Sequence, residues 1–277
     1  MAPEHALAER GVRLVADLDV DSLLGAGDPG TCCAAVYEHP AVRWLLGDEL
    51  HPGGVETTRR SLDLISVGRD DRLLDVACGG GTSALLAARE RGCEAVGVDC
   101  GEAALKRASA LAREEGLADR VSFRAADAGG LPFADQGFDA LLCECSVSTF
   151  ADKPAAVAEM WRVLRPSGRV AISDVVVDEE RFPAALHGPL ATIACVGEAL
   201  DGDGYRGLLA DGGFREIEAE SHGAAAARLA TRVEERLRGA RLLGVPSLER
   251  LIESARLTGR AIDEGILGYA IFTAVRR

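Results

Sequence analysis

Short apolar segments alternate with helix-forming segments from residue 72 onward, and this alternation limits the possible folds more than any other feature. RLLDVA precedes TSALLAARERG, EAVGVD precedes GEAALKRASALAREEG, and FDALLCE is followed by AAVAEMWRVLRP and then GRVAISDV. Strands and helices that alternate at this length form right-handed β-α-β units around a mostly parallel sheet. The sequence therefore predicts a doubly wound α/β domain.

The segments on either side of this pattern are predominantly helical. Residues 1–60 carry apolar side chains at helical spacing, interrupted by GAGDPG and HPGG, and we interpret them as a helical N-terminal cap. The core is expected at 61–221 and includes a helix at 184–200. Residues 222–277 are expected to form a helical insertion and a terminal strand that pairs at the edge of the sheet, completing it.

Amino-acid composition limits the kinds of molecule that this domain is expected to bind. The chain has 277 residues, 48% of them hydrophobic, so it can bury a sizeable core, and its net charge of −13 opposes binding to nucleic acid or to an anionic membrane surface. MAPEHALAERG does not resemble a signal peptide, and no segment reaches the roughly 18 apolar residues of a membrane-spanning helix. We therefore expect a cytoplasmic protein that acts on a small molecule.

The eight cysteines are unusual for such a protein and contain no CxxC pair that would suggest a zinc or thioredoxin-like site. In a reducing cytoplasm most of them are expected to be thiols. Cysteine is among the residues most often buried. On this ground we interpret four of them as packing residues: Cys78, Cys93, Cys100 and Cys143.

Glycines and acidic residues follow the first three predicted strands. The first strand ends in Asp75-Val-Ala-Cys-Gly79-Gly80-Gly81, the second in Asp99 and the third in Ala126-Asp127. Glycines at such a turn let a cofactor approach the backbone, and an acidic residue after the second strand can accept hydrogen bonds from ribose hydroxyls. A carboxylate four residues before the first glycine suits a cofactor that carries an ammonium and a sulfonium better than a pyrophosphate.

Four segments together resemble the class I S-adenosylmethionine-dependent methyltransferases: DVACGGGT, VGVD, AADAGGLPFADQGFDALL and WRVLRPSGRVAISD. The resemblance implies a Rossmann-like sheet of seven strands, with the last strand antiparallel, and S-adenosylmethionine bound across the carboxyl ends of the strands. The residues it assigns to the cofactor are Asp75, Gly79 and Gly81 at the methionyl part, Asp99 with the adjacent Cys100 at the ribose, and Ala126 with Asp127 at the adenine.

A second set of residues resembles a narrower group, the arsenite methyltransferases. In that group, one cysteine ends the fourth strand, another lies in a Cys-x-Gly-Gly-Ala type segment, and a third comes from the N-terminal region. Cys145 takes the first position, Cys195 in ACVGEA the second, and Cys32 or Cys33 the third. The resemblance implies that three thiolates hold trivalent arsenic as substrate.

Arsenic chemistry explains why thiols would replace a general base. Trivalent arsenic is thiophilic, and three thiolates leave it a lone pair that can attack the methyl group. The thiols must lose their protons on binding, because a cysteine with an ordinary pKa is mostly protonated at pH 7. The family's chemistry also implies thioredoxin or glutathione as a reductant.

Other functions fit parts of the same sequence. The chain could be a small-molecule O-, N- or C-methyltransferase of secondary or quinone metabolism, with Glu144, His51 or His187 as base. It could also be a thiol-based metalloid-binding protein that has lost catalysis, although the intact glycine and aspartate set argues for a bound cofactor. A dinucleotide-dependent oxidoreductase is disfavoured, since no paired Tyr/Lys or His/Asp arrangement follows the glycines.

Overall fold

A seven-stranded sheet forms the centre of the molecule in the computed structural model, which describes residues 39–47, 51–186, 196–240 and 247–277. The strands are β1 (Arg72–Val76), β2 (Glu94–Asp99), β3 (Val121–Ala125), β4 (Phe138–Glu144), β5 (Leu164–Val177), β6 (Phe214–Ser221) and β7 (Leu267–Arg276). They lie in the order β3-β2-β1-β4-β5-β7-β6. β1 to β5 pair in parallel, and β7 is antiparallel to both of its neighbours. The predicted α/β fold and its antiparallel last strand are confirmed.

Helices connect the strands and cover the sheet. Within the described residues they are α1 (Pro40–Leu46), α2 (Gly54–Leu64), α3 (Thr82–Arg91), α4 (Glu102–Glu114), α5 (Lys153–Val163), α6 (Gly202–Asp211), α7 (Gly223–Ala240) and α8 (Ser247–Asp263). The helices predicted after the first, second and fourth strands are present as α3, α4 and α5. Each lies between two parallel strands, as a crossover connection requires.

The helix predicted at 184–200 differs from the structure. A short 3₁₀ turn occupies Ala184–Leu186, and the segment from 196 to 200 is not helical, while 187–195 lie outside the described residues. The physical reason is visible at Leu200, whose carbonyl accepts a hydrogen bond from the Val177 N–H at 3.1 Å. The backbone there bonds to the end of β5 and not within a helix of its own.

The last strand does not lie at the edge of the sheet, as the sequence had suggested. β7 lies between β5 and β6, and β6 is the edge strand. Burial explains the order: β7 is mostly buried, with Tyr269 and Ile271 fully so, whereas β6 exposes most of its residues, including Glu218. Charged side chains suit an edge strand because they discourage pairing with another chain.

The two faces of the sheet bury separate apolar clusters. Leu74, Leu141 and Ile172 belong to the cluster on one face, while Leu73 and Leu142 belong to the cluster on the other. Side chains alternate between faces along a strand. The face of Leu73 and Leu142 therefore continues, at the carboxyl ends of the strands, into polar side chains from three strands: Asp75, Glu144 and Ser173.

Helices from both ends of the described chain pack against one another. Ala41 of α1 is fully buried in one cluster with Leu237 of α7 and Ile252 of α8. The Arg236 guanidinium also donates hydrogen bonds to the carbonyls of Trp44 and Leu45, at 2.7 and 2.8 Å. α1 is thus held by the C-terminal helices. None of the helices in the described ranges has the length and apolar character needed to span a bilayer.

Candidate active site

In the glycine-containing turn after β1, a hydrogen bond connects two of the residues predicted to bind the cofactor. Gly79 has a φ of +50°, and its N–H donates to Asp99 Oδ2 at 2.8 Å. The other oxygen, Asp99 Oδ1, accepts from the Gly101 N–H at 2.7 Å. Asp99 is largely buried at the end of β2, so its carboxylate fixes the turn beside the expected ribose position.

The three glycines of this turn have different surroundings. A Cβ added to Gly79 or to Gly80 would meet no atom within 4 Å, so both border open space. A Cβ on Gly81 would lie 2.5 Å from the Phe123 ring and 2.9 Å from the Ala108 Cβ, and its φ is +77°. Gly79 and Gly80 therefore leave room for a ligand, whereas Gly81 is required for packing of the turn against β3 and α4.

Asp75 lies below this open space at the end of β1. Its side chain is buried, and Oδ2 accepts a hydrogen bond from the Ala84 N–H at 3.1 Å in the first turn of α3. Burial and then the nearby Glu144 carboxylate raise the pKa of Asp75 well above its usual range. A buried carboxylate beside a second one is stabilised by a cation.

Glu144 at the end of β4 belongs to the same polar cluster. Its side chain is only 5% exposed, and Oε2 accepts hydrogen bonds from Ser83 Oγ at 2.5 Å and Thr58 Oγ1 at 3.0 Å. His51 Nε2 lies 3.8 Å from the same oxygen. Glu144 Oε1 and His51 Nδ1 are buried and have no hydrogen-bond partner among the described residues. His51, one of the alternative bases that the sequence offers, thus lies beside the Glu144 carboxylate.

A cationic nucleoside cofactor fits three features of this site. They are the open space at Gly79 and Gly80, the Asp99 carboxylate beside the expected ribose position, and the buried Glu144 Oε1, which has no partner among the described residues. Anionic phosphates would face Asp75 and Glu144 at this edge, whereas an ammonium or sulfonium would be attracted by them. The donor set is therefore consistent with S-adenosylmethionine and inconsistent with a dinucleotide pyrophosphate at this position.

Cys145 follows Glu144, the last residue of β4, and lies outside the strand. Its φ of +52° is left-handed, which is uncommon for a residue with a side chain, and its N–H donates to the Ser173 carbonyl at 2.6 Å. The partly buried thiol packs against an apolar cluster that includes Tyr269. Cys143, two residues earlier, is fully buried on the opposite face, so its predicted packing role is confirmed.

Asp174 holds the loop after Cys145 from the other face of the sheet. It is fully buried and accepts three hydrogen bonds, from the Ser148 N–H and the Val175 N–H at 2.8 Å and from Ser148 Oγ at 2.9 Å. Burial raises the pKa of Asp174 to about 6, although these donors act in the opposite direction. The carboxylate fixes the 3₁₀ turn Val147–Thr149 that follows the cysteine.

The predicted adenine residues lie in the loop after β3. The Ala126 N–H donates to the Asp99 carbonyl at 3.0 Å, which places this loop next to the end of β2. Asp127 is exposed, and its Oδ1 accepts from the Gly129 N–H at 2.7 Å. Their contact with the adenine stays a prediction.

The other cysteines divide into three groups. Cys93 is buried in the core, as expected, and Cys78 is partly buried in the glycine turn. Cys100 is neither a packing residue nor a thiol: it is exposed and disulfide-bonded. It lies in the turn before α4, where no core is available to cover it. The remaining predicted residues, Cys32, Cys33 and Cys195 with the alternative base His187, lie outside the described residues.

Several polar residues of the site were not predicted from the sequence. Thr58 and Ser83 bond to Glu144, and the Tyr269 hydroxyl donates to Ser173 Oγ at 2.9 Å, but nothing in their local sequence distinguishes them. Asp174 is different, because a lone carboxylate within the apolar segment GRVAISDVVV is a recognisable sign of a buried, hydrogen-bonded group.

Comparison with known proteins identifies the family. A family model described as a methyltransferase domain matches residues 68–213, a little over half of the chain. The 27-O-demethylrifamycin SV methyltransferase of Amycolatopsis mediterranei is 29% identical over 248 residues, which cover 83% of this chain and 90% of that protein. The arsenite methyltransferase of Halobacterium salinarum is 34% identical over 152 residues, which cover 53% of this chain and 38% of that protein.

A similar fold is found in the Haemonchus contortus phosphoethanolamine N-methyltransferase 2 in complex with S-adenosyl-L-methionine. The TM-score is 0.73 and the identity 20%, and the match covers 94% of this chain and 60% of that one. At this identity the likeness shows the fold alone. With the family match and the acidic, cation-binding site at the glycine turn, the chain belongs to the methyltransferase-domain family and is an S-adenosylmethionine-dependent methyltransferase.

Proposed function

We propose that this enzyme methylates trivalent arsenic, as arsenite or methylarsenite, held by thiolates. The observation that carries the proposal is the position of Cys145, which has a left-handed backbone conformation (φ +52°) directly after Glu144 at the end of β4. Strained backbone of this kind is typical of functional sites. The arsenite methyltransferase of Halobacterium salinarum supports the same substrate through its 34% identity over 152 residues.

The proposed ligands are Cys145, Cys195 and one of Cys32 and Cys33. Three thiolates would displace the oxygen ligands of arsenite and direct its lone pair away from the sulfurs. The cofactor supplies a methyl group on a sulfonium, and as the arsenic lone pair forms the new As–C bond, the electron pair of the broken C–S bond remains on the cofactor sulfur as a thioether. No side chain has to remove a proton in that step.

The arsenic is formally oxidised by two electrons when it is methylated. Returning it to the trivalent state requires two electrons from outside, which is why we propose thioredoxin or glutathione as the partner. A cytoplasmic location, where such reductants are abundant, is part of the same proposal.

The experiment is methyl transfer from labelled S-adenosylmethionine to arsenite or methylarsenite by the reduced protein. Wild-type enzyme should give methylated arsenicals, and Cys145→Ser and Cys195→Ser should each lower turnover by about 100-fold or more, because a hydroxyl does not bind arsenic as a thiolate does. Cys143→Ala, at the buried cysteine of β4 two residues before Cys145, is the control, and its turnover per folded molecule should stay near wild type. Full turnover in Cys145→Ser would exclude the thiolate mechanism.

A second candidate function is methylation of a small organic molecule at oxygen, nitrogen or carbon. The His51–Glu144 contact of 3.8 Å favours it, since such a pair can accept a proton from a hydroxyl acceptor. The 27-O-demethylrifamycin SV methyltransferase, aligned over 90% of its length, points in the same direction. Turnover with hydroxylated aromatic acceptors, unaffected by Cys145→Ser, would establish this function.

The third candidate, a metalloid-binding protein without catalysis, is tested by the same assay. It requires tight binding of arsenite by the reduced protein and no methylated product, even with a saturating cofactor concentration. The open space at Gly79 and Gly80 argues for a functional cofactor site.

A further inference from the structure

The helix α2 reaches the active site with a buried face that is mostly polar. Its buried residues are a glycine, three hydroxyl-bearing residues and a single large apolar residue: Gly54, Thr57, Thr58, Ser61 and Leu62. Hydrophobic stabilisation is roughly proportional to the apolar area that is buried, so it contributes little to holding this helix in place. The position of α2 therefore depends on polar contacts more than that of an ordinary amphipathic helix does.

Two ion pairs hold the exposed side of α2 against α3. Arg59 pairs with Glu90 at 2.7 Å, and Asp63 pairs with Arg91 at 2.5 Å. Both partners belong to α3, which begins directly after the glycine turn. These pairs therefore attach α2 to the cofactor side of the site.

Arg60 connects the same helix to a distant part of the chain. Its Nη2 donates to Glu220 Oε2 at 2.5 Å and its Nε to Glu220 Oε1 at 2.9 Å, across 160 residues of sequence. Glu220 Oε1 also contacts His222 Nε2 at 2.9 Å. The Arg60 guanidinium holds the pKa of Glu220 below its usual range. Bidentate pairs and networks are the surface ion pairs that contribute measurably, so this contact differs from an isolated pair.

From His222 the contacts return to the active site through β7. The His222 N–H donates to the Tyr269 carbonyl at 2.7 Å, and the Tyr269 hydroxyl donates to Ser173 Oγ at 2.9 Å. The Ser173 carbonyl accepts from the Cys145 N–H at 2.6 Å. Cys145 follows Glu144, to which α2 donates a hydrogen bond. The contacts thus form a closed ring that passes through α2, the edge strand β6, β7, β5 and the end of β4.

We infer that Arg60 is a positioning residue, which fixes α2 over the active site through its pair with Glu220. Loss of the pair allows the N-terminal half of α2 to open locally, because the buried residues of that half are only a glycine and two threonines. Thr58 then leaves the Glu144 carboxylate for part of the time, and the cofactor site beside it is less well ordered. This role concerns the cofactor site and is the same for an arsenical or an organic acceptor.

Hydrogen exchange of the α2 amides measures this local opening. Arg60→Glu, which places two carboxylates together, should speed their exchange by on the order of 10-fold. Calorimetry should show S-adenosylmethionine weakened by about threefold to fivefold. The Tm should fall by less than about 2 °C, because the core of the sheet is unaffected. Arg60→Gln should change both readouts in the same direction by less, and it replaces Arg60→Glu if the reversed charge disturbs folding.

Reversal of both charges separates a positioning role from a general loss of stability. Arg60→Glu combined with Glu220→Arg restores the attraction, so exchange and affinity should return to within about twofold of wild type. At about 1 M salt, which screens exposed charges, the difference between wild type and Arg60→Glu should shrink. The matched control is Arg89→Glu, at a similarly exposed pair with Glu115 away from α2, and it should leave α2 exchange and the affinity unchanged.

Either of two results would overturn this role for Arg60. One is wild-type α2 exchange and wild-type affinity for S-adenosylmethionine in folded Arg60→Glu, which would make the pair an ordinary surface contact. The other is a doubly reversed variant that stays as impaired as Arg60→Glu, which would assign the effect to something other than the pair with Glu220. Neither readout uses a methyl acceptor, so failure of arsenic methylation would leave both of them unaffected.

Discussion

Two buried carboxylates, one on each face of the sheet, differ in whether both of their oxygens accept hydrogen bonds. Asp174 on one face accepts three hydrogen bonds from Ser148 and Val175. Glu144 on the other face has one oxygen bonded to Ser83 and Thr58 and one oxygen without a partner in the described residues. Both are buried, so burial alone does not distinguish a structural carboxylate from a binding one.

The difference is whether groups of the protein donate hydrogen bonds to both oxygens of the carboxylate. Asp174 fixes the loop that follows Cys145, and its hydrogen bonds stabilise the fold with or without a ligand. Glu144 has one buried oxygen without a hydrogen-bond partner among the described residues, and this is the acceptor that a bound ligand could use. The two neighbouring cysteines lie in different clusters: Cys143 of β4 packs in the core on the Asp174 face, whereas Cys145, which follows β4, packs against the cluster that includes Tyr269.

The largest effect on stability is expected from Asp174→Ala. Removing the carboxylate leaves the Ser148 N–H, the Val175 N–H and the Ser148 hydroxyl without their acceptor, and the free energy of unfolding should fall by about 3 kcal/mol. Urea unfolding measures this loss. Ser148→Ala, which removes only one donor, should cost about 1 kcal/mol. A stability near wild type for Asp174→Ala would contradict the structural role given to this face.

The glycines of the turn should also differ in role, because Gly81 is needed for packing and Gly80 borders the space for a ligand. Gly81→Ala should lower the free energy of unfolding by about 2–3 kcal/mol, because its Cβ meets the Phe123 ring in a left-handed conformation. Gly80→Ala should leave stability nearly unchanged and weaken S-adenosylmethionine. Thermal unfolding with and without cofactor separates the two. Equal destabilisation by both substitutions would disprove the division.

Acidification should stabilise the protein between pH 7 and pH 5. Burial raises the pKa of Asp174 to about 6, so the folded protein binds more protons than the unfolded chain in this range. Stability therefore rises as the pH falls, by about 1 kcal/mol from Asp174 alone. The raised pKa of Asp75 acts in the same direction. Asp174→Ala should show a smaller slope, and an unchanged slope would assign the effect to other groups.

The smallest effect is expected at Ser83. Ser83→Ala removes one of the two hydroxyl donors to Glu144 Oε2, and the free energy of unfolding should change by less than about 1 kcal/mol because Thr58 still donates to that oxygen. Chemical denaturation with Ser61→Ala as a comparison, a buried hydroxyl without a hydrogen-bond partner in the described residues, measures it. A loss as large as that of Asp174→Ala would show that Glu144 is part of the structural framework.

The alternation of strands and helices was sufficient to predict the doubly wound sheet, because local periodicity and the handedness of crossovers leave few other arrangements. It was not sufficient to place β7, whose position between β5 and β6 depends on pairing between residues about 50 to 105 positions apart. The apolar sequence of β7 and the glutamates of β6 agree with this order, because an edge strand tolerates charged side chains better than an inner strand does.

The candidate site was only partly predictable for the same reason. Asp75, Gly79 and Asp99 follow strands that end at one edge of a parallel sheet, so sequence position implies their proximity. His51, before α2, and Thr58, within α2, contact Glu144 from more than 80 residues away in the sequence, and no local pattern specifies these contacts.

Local sequence was sufficient to predict the strands, the glycine turn and the acidic residues at the strand ends, since these depend on local conformation and on the two-residue alternation of a strand. Which carboxylates accept hydrogen bonds at both oxygens became known only from the three-dimensional arrangement. That property depends on donors brought together from distant segments, and it separates Asp174, held by its own fold, from Glu144, which keeps one oxygen for a ligand.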